Sequence, residues 1–350
     1  MNRQRYLDLA ARGLRMPIGS DLILREQSDH HAIQLHGDSL GRLLVEAAER
    51  YESPLAFPVM DLTLEKHALL SLLNTPGDLD QFHFSECPDQ ALLDTLADRL
   101  TTQPLPQRMI ANAEAIRYIA RQTKLVPVGM SIGPFSLMTK LLADPITPVY
   151  SAGMGNSADD DEEVRMIERV LEMSTRMVLR SIRPQIEAGA TAIFIAEPAA
   201  STAFFSPIQL SGAGDAFDRL AIAANRRVKA LLDQHGVDLI FHCCGDLVPD
   251  MVRRFATLDP AILSLGSSRK LWEDAAIVPD NVVLYGNLPS KKFYSDDVIT
   301  VEQVQTMSRE LLAAMKATNH PFILGSECDV LSVPGCEHTI CKKVQAMMTA

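Results

Sequence analysis

Three side chains with metal-binding chemistry stand at the ends of two apolar runs. His242 and Cys244 lie in Phe241-His242-Cys243-Cys244-Gly245-Asp246, and Cys328 lies in Leu324-Gly325-Ser326-Glu327-Cys328-Asp329-Val330. In an extended strand, residues i and i+2 share a side. His242 and Cys244 therefore face one way and Cys243 the other. A third ligand from a distant strand completes a nitrogen–sulfur set with one coordination position open. That is the layout of a catalytic zinc site, since structural sites close with four protein ligands. A metal held in this way is suited to bind and activate an incoming thiol. Without a metal, the same residues read as core cysteines and a hydrogen-bonded histidine, and spacing alone leaves both readings open. A rival group, Cys336, His338 and Cys341, would suit a metal only in an irregular loop. The segment runs on into Lys342-Lys343-Val344, which reads as the last helix. On a helix, Cys336 and Cys341 face different sides, so they are expected to be ordinary helix-start residues. Cys243 is expected to pack into the wall of the sheet. Cys87 sits in a loop beside Pro88 with no partner nearby in sequence.

The elements that must position these ligands are legible as short apolar runs at 17–23, 55–61, 126–132, 191–197, 237–244, 261–266, 282–287 and 321–327. Helical periodicity fills 38–50, 163–183, 215–234, 246–257 and 301–317. Strands alternating with helices imply a parallel sheet, and eight such units predict an α/β (β/α)8 TIM-type barrel. It is expected to form a single domain over 1–350 with extra N-terminal helices, the first an amphipathic helix from Met1 to Arg12. The long spacer after the second strand predicts added helices and a loop around 75–106. The acidic run Asp159 to Glu163 marks a helix N-terminus, where carboxylates suit the macrodipole. In such barrels the active site lies at the C-terminal ends of the strands. His242 and Cys244 end the fifth strand, and Cys328 follows the eighth. Asp61, Glu197 and Asn287 follow the second, fourth and seventh strands and are candidate substrate contacts or supports for the ligands. His30 and His31 follow the first strand, where a solvated loop is expected. Gly133-Pro134-Phe135 opens a helix after the third strand. Its backbone N–H groups could hold an anion, or it could simply end the strand.

Composition narrows the class. The chain has 350 residues, 47% hydrophobic and 22% charged, an ordinary globular balance. A net charge of −11 argues against nucleic-acid binding and against attraction to anionic membranes. No apolar run approaches the ~20 residues that span a bilayer. The first residues lack the apolar core and cleavage site of a signal peptide, so a cytoplasmic protein is expected. Six cysteines are too few for a disulfide scaffold in a chain of this length.

The sequence resembles the uroporphyrinogen decarboxylase superfamily, and within it the zinc-dependent corrinoid methyltransferase branch that methylates coenzyme M. The resemblance runs through Arg15-Met16-Pro17, Met60-Asp61-Leu62-Thr63-Leu64-Glu65, Gly133-Pro134-Phe135-Ser136-Leu137, Ala188-Gly189-Ala190 with Glu197-Pro198, and Gly286-Asn287. It is sharpest at His242-x-Cys244 and Glu327-Cys328-Asp329-Val330, which are similar to that branch's zinc ligands. The sequence departs from the family in two places. The decarboxylases' arginine-rich segment after the first strand reads here Leu22-Ile23-Leu24-Arg25-Glu26-Gln27, which speaks against porphyrinogen decarboxylation. A Thr-Pro…Asn stretch usual after the last cysteine is replaced by Val333-Pro334-Gly335-Cys336-Glu337-His338, so the resemblance does not reach the far end of a thiol substrate.

The resemblance implies a zinc ion on His242, Cys244 and Cys328. It also implies methyl transfer from a methylcobalamin-type corrinoid to a thiol such as coenzyme M or homocysteine. No Asp-x-His-x-x-Gly corrinoid-binding pattern occurs, so the corrinoid is expected on a partner protein. A homo-oligomer is compatible with the chain, and nothing in the sequence sets its order. The alternatives are a metal-free decarboxylase-like lyase, a corrinoid-dependent methyltransferase with a non-thiol acceptor, and a non-catalytic corrinoid-binding protein with a closed structural zinc.

Overall fold

The computed structural model describes residues 3–211 and 215–350. Its strands are β1 Arg15–Ile18, β2 Leu55–Ala56, β3 Val126–Ile132, β4 Ala192–Ala196, β5 Asp238–Cys243, β6 Ile262–Leu265, β7 Val283–Leu288 and β8 Phe322–Asp329. Every pairing is parallel, in the order β1-β8-β7-β6-β5-β4-β3-β2. This is the expected (β/α)8 TIM-type barrel. Among the described residues no strand ladder joins β1 to β2. That seam is crossed instead by Ser20 Oγ donating to Phe57 O at 2.7 Å and by Ser53 Oγ on Met16 Sδ at 3.3 Å.

Two strand boundaries differ from the sequence reading. The first strand ends at Ile18, and Ser20–Arg25 is a helix with Leu22, Ile23 and Leu24 buried. A short, fully buried apolar run has no period by which a strand and a helix can be told apart. The second strand is only Leu55–Ala56. Pro58 has no N–H to give to a ladder, so the pairing stops before it. Met1 and Asn2, with which the first helix was expected to open, lie outside the described residues; the helix is seen as Arg3–Ala11.

Alternation along the strands divides the apolar residues into two layers. Val126, Val128, Phe194, Ile240, Ile262, Val283, Tyr285 and Ile323 fill the inside of the barrel. Tyr6, from the N-terminal helix, is buried in the same cluster. Ile193, Ile195, Leu239, Phe241, Leu263, Leu284 and Leu324 face outward into a larger core under the surrounding helices. Those helices include Gly37–Arg50, Glu162–Glu187, Ala223–Gln234, Pro249–Ala256 and Val301–Thr318. Their ends follow local rules. Asp161 accepts from the N–H groups of Glu163 and Val164 at 2.9 and 3.2 Å, so the acidic run does open a helix. Thr300 and Gln303 form a reciprocal capping box. The spacer before β3 supplies three added helices, Leu64–Leu72, Gln90–Thr102 and Gln107–Gln122. No helix is long and apolar enough to cross a membrane.

One glycine controls the packing below the ligands. A Cβ on Gly325 would lie 2.2 Å from the Tyr285 ring, so the ring occupies the space that a side chain would take. Tyr285 in turn reaches across β8 to donate to Met16 O at 2.9 Å. Gly325→Ala should destabilise the fold by about 1–3 kcal/mol through overpacking. Tyr285→Phe, which loses only the hydrogen bond, should cost about 1 kcal/mol. Urea denaturation of both variants checks this, and an unchanged midpoint for Gly325→Ala would show that the ring does not fill that space.

Candidate metal centre

The register of the parallel sheet builds the centre. His242 on β5 is paired with Ala196 on β4 and Ser264 on β6. Neighbours in register face the same side, so His242 and Ser264 both point into the barrel mouth. The imidazole stacks on Phe194 with ring centres 5.1 Å apart. Its Nδ1 lies 2.8 Å from Ser264 Oγ, while its Nε2 is buried with no hydrogen-bond partner. With Nδ1–H donated to the serine, Nε2 keeps an unused lone pair on a ring that lies beside the sulfurs of Cys244 and Cys328. A buried polar atom left bare in this way is costly unless a further group binds it.

Cys244 follows directly after β5. Gly266 makes room for it, since a Cβ there would meet Cys244 O at 2.8 Å. Cys328 arrives by a less regular route. Ile323 faces the inner core, Gly325 lies against the inward Tyr285 ring, and Leu324 packs in the outer layer, so strict alternation would turn Cys328 outward. The ladder with β1 is irregular here. Met16 pairs with Gly325 and Ile18 with Asp329, so β1 advances two residues while β8 advances four. This irregularity is what allows Cys328 to join the site. The ligand atoms of His242, Cys244 and Cys328 all lie within 4.8 Å of one another, and no other group of three potential ligands occurs among the described residues. A nitrogen and two sulfurs at this spacing suit zinc, with a position left for one more ligand. The two thiols lie close enough to interact, and that interaction, with His242 and Lys291, holds Cys244 low against the effect of burial and raises Cys328.

The remaining candidates take other places. Asn287 Nδ2 donates to Gly266 O and Arg269 O at 2.7 and 2.8 Å, which fixes the loop that closes over Cys244. Glu197 is fully buried. Its Oε1 accepts from Ser136 N at 2.5 Å and its Oε2 from Asn225 at 2.7 Å. The group held at the Gly133-Pro134-Phe135 turn is therefore the protein's own Glu197 carboxyl, and a Cβ on Gly133 would strike it at 2.0 Å. Burial pushes the Glu197 carboxyl up, offset in part by Asn225 and Ser136. Asp61 accepts from Thr63 N and Oγ1 and from Arg108 Nη1 at 2.5 Å, while Arg108 also reaches Gln34. Burial raises the Asp61 carboxyl, but the Thr63 and Arg108 contacts outweigh it and hold it low.

Cys243 is buried on the outer face with Sγ toward Ala200 O at 3.7 Å. Cys336 precedes the last helix, Glu337–Thr349, as expected of a helix-start residue. His30 and His31 open a short helix with no buried residue, rather than a loop. Sequence reasoning missed Ser264, Lys291 and Glu327. Ser264 interrupts the apolar run Ile262–Leu265 and could have been noticed as a polar residue in register with His242.

The Asp61–Glu65 motif ends on a second titrating group. Glu65 is buried in the barrel wall, with Ser131 and Ser181 both donating to Oε1 at 2.8 and 2.7 Å and Oε2 unpartnered. Burial pushes its carboxyl up to about 7 against those two hydrogen bonds. The unfolded chain releases this proton near 4.3, so between there and about 7 the native state binds the extra proton and stability falls as pH rises. Unfolding free energies at pH 5 and pH 8 should differ by up to about 3 kcal/mol more in the wild type than in Glu65→Gln. Identical pH profiles would show that Glu65 titrates normally.

Comparisons with known proteins agree with this architecture. The family profile for uroporphyrinogen decarboxylase (URO-D) matches residues 88–350, about three-quarters of the chain. Among solved structures, a methyltransferase from Methanosarcina mazei superposes with a TM-score of 0.67. The match covers 99% of this chain and 98% of that one at 16% identity, a likeness of fold. No curated protein matches the chain. With the barrel in hand and a profile that spans β3 to the last helix, the chain belongs to the uroporphyrinogen decarboxylase family.

Proposed function

We propose that the protein is a zinc-dependent methyltransferase that moves a methyl group from a protein-bound methylcorrinoid to a thiol. The observation that carries this reading is His242: Nδ1 is occupied by Ser264, and Nε2 is buried, bare and beside two cysteine sulfurs. His242, Cys244 and Cys328 would hold the ion. Zinc with this ligand set would supply a site that binds the acceptor thiol as a nucleophilic thiolate at neutral pH.

The chain's own residues do the rest. Ser264 sets the imidazole tautomer and its angle. Phe194 and the inner core wall the centre off from below. Asn287 holds the 266–269 loop against Cys244. Asp61 with Arg108, at the mouth, is a contact for the polar part of an acceptor. Glu197 acts one layer further out, by holding the helix that begins at Pro134 against the ends of β3 and β4. In the overall reaction the acceptor sulfur gains the methyl group, and the corrinoid keeps the bonding pair as cob(I)alamin.

A donor delivered on a separate protein is supported by where the surface is apolar. Ile146, Tyr150, Met154, Tyr294, Val298 and Leu331 are exposed, and all lie in segments that leave the C-terminal ends of strands. The other exposed large apolar residues among the described residues are Leu35, Trp272 and Met307, the last on the helix Val301–Thr318 that leads into β8. Apolar surface gathered on the face that carries the centre suits a protein that covers it.

Purified, reduced protein should hold one zinc per chain. Cys328→Ala and His242→Ala should each lose most of it, and Ser264→Ala should weaken binding about 10–100-fold, as expected for an outer partner of a ligand. A Cys328→Ala variant with full zinc and full activity would sink the assignment. Methylcobalamin offered with a panel of thiols should be converted to cob(I)alamin only when a thiol is present, followed by absorbance. Thiol-independent conversion, or wild-type protein without zinc, would return the choice to a metal-free lyase.

A further inference from the structure

Behind Asp61 the barrel wall holds a second polar site. A cavity of about 20 Å³, room for one water-sized body, lies where β3 meets the helices Leu64–Leu72, Gln107–Gln122 and Glu162–Glu187. Its polar wall is Asp61, Glu65, Asn112, Ser131 and Gln185, and the other lining residues are apolar. Most of those polar groups are committed within the fold. Asp61 accepts from Thr63 and Arg108. Gln185 Oε1 accepts from Met130 N at 2.8 Å, and its Nε2 donates to Met130 O and Ser181 O at 2.9 and 3.0 Å. Ser131 and Ser181 both donate to Glu65 Oε1. Two groups are left over. Glu65 Oε2 is enclosed without a partner, in a residue only 1% exposed. The Asn112 amide makes no hydrogen bond among the described residues.

We propose that this cavity is a monovalent-cation site, in which Glu65 Oε2 and Asn112 Oδ1 hold a sodium ion behind Asp61. The charge count favours a cation over a water. Among the described residues, Asp61 and Glu65 are the titratable groups of the wall. Arg108, on the helix Gln107–Gln122, is the cation at Asp61, and it is already engaged, with Nη1 on Asp61 and Nη2 on Gln34. It balances Asp61 and leaves Glu65 without a counter-charge. From β3 and from Glu162–Glu187, the groups that meet Glu65 are the neutral Ser131 and Ser181. Lys66, next in the chain, turns away to donate to Asp80 O at 2.9 Å. A buried carboxylate in this position is costly, so it either keeps a proton or takes a cation. With its carboxyl pushed up to about 7 by burial, Glu65 passes from one state to the other near neutral pH. Carboxylate and amide oxygens are the ligands a hard cation prefers. One carboxylate matches one positive charge, so a monovalent ion leaves neither partner in excess. Bound there, the ion would tie the Asp61–Glu65 segment to the helix that carries Arg108.

The test is thermal unfolding of the whole chain in sodium chloride against choline chloride at equal ionic strength. Choline matches the screening but is too large for the cavity. At pH 8 sodium should raise the wild-type midpoint by about 2 °C, the shift expected for a chain of this size at roughly ten times the dissociation constant. At pH 5, where Glu65 holds its proton, the two salts should give the same midpoint. The loss of stability between pH 5 and pH 8 should therefore be smaller in sodium than in choline. Glu65→Gln keeps the shape of the side chain and should lose the sodium response at pH 8. Asn112→Ala should need about tenfold more sodium for the same shift. Should Glu65→Gln fail to fold, the wild-type comparison at the two pH values and Asn112→Ala decide the matter. Equal midpoints in the two salts at pH 8 overturn the proposal, and the cavity then holds water. A sodium response that survives in Glu65→Gln, or that persists at pH 5, also overturns it, because the ion would then sit elsewhere.

Discussion

Parallel pairing in register is the constraint from which the rest of the molecule follows. Because every strand runs the same way, every strand ends at the same face. Residues far apart in sequence are thereby delivered to one mouth. His242, Cys244, Cys328, Asn287 and the Lys291 turn come from the ends of three strands, and nothing local in the chain connects them. The same register that pairs His242 with Ser264 also decides which imidazole nitrogen is spoken for. A one-residue slip of β5 against β6 would turn His242 outward and leave Ser264 with no ring to hold.

Around that frame the protein spends its buried polar groups in two different ways. Glu197 and Asn287 are enclosed and satisfied: each oxygen or amide that matters has a partner within the fold. Their task is to hold loops and a helix end in place. His242 Nε2 is enclosed and bare. What sets this nitrogen apart from other unpartnered buried atoms, such as Glu65 Oε2 and the Asp329 carboxyl, is that it belongs to the one His/Cys cluster, among the described residues, whose chemistry and spacing suit a metal ion.

The likeness to the solved methyltransferase is one of fold, and a fold of this kind hosts many chemistries. What narrows the chemistry is the donor set on two strands. The absence of an arginine-rich segment after β1 points the same way, since a polycarboxylate substrate would need those cations.

The sequence by itself determined the eight-strand alternation, and it singled out the three candidate ligands that the structure brings together. Each of these depends on short-range periodicity and on residue chemistry, both readable along the chain. It also determined that Cys243 would be a wall residue, because parity along β5 is regular. Only the tertiary structure decided that Cys328 faces inward, since the irregular ladder between β1 and β8 overrides parity and arises from pairing between segments about 310 residues apart. The helical character of Ser20–Arg25 and the capture of the Gly133 turn by Glu197 were likewise settled by packing between distant segments. Local pattern carries a side chain's face and period. It does not carry which distant group will meet that side chain, because long-range contacts are set by how the whole sheet closes.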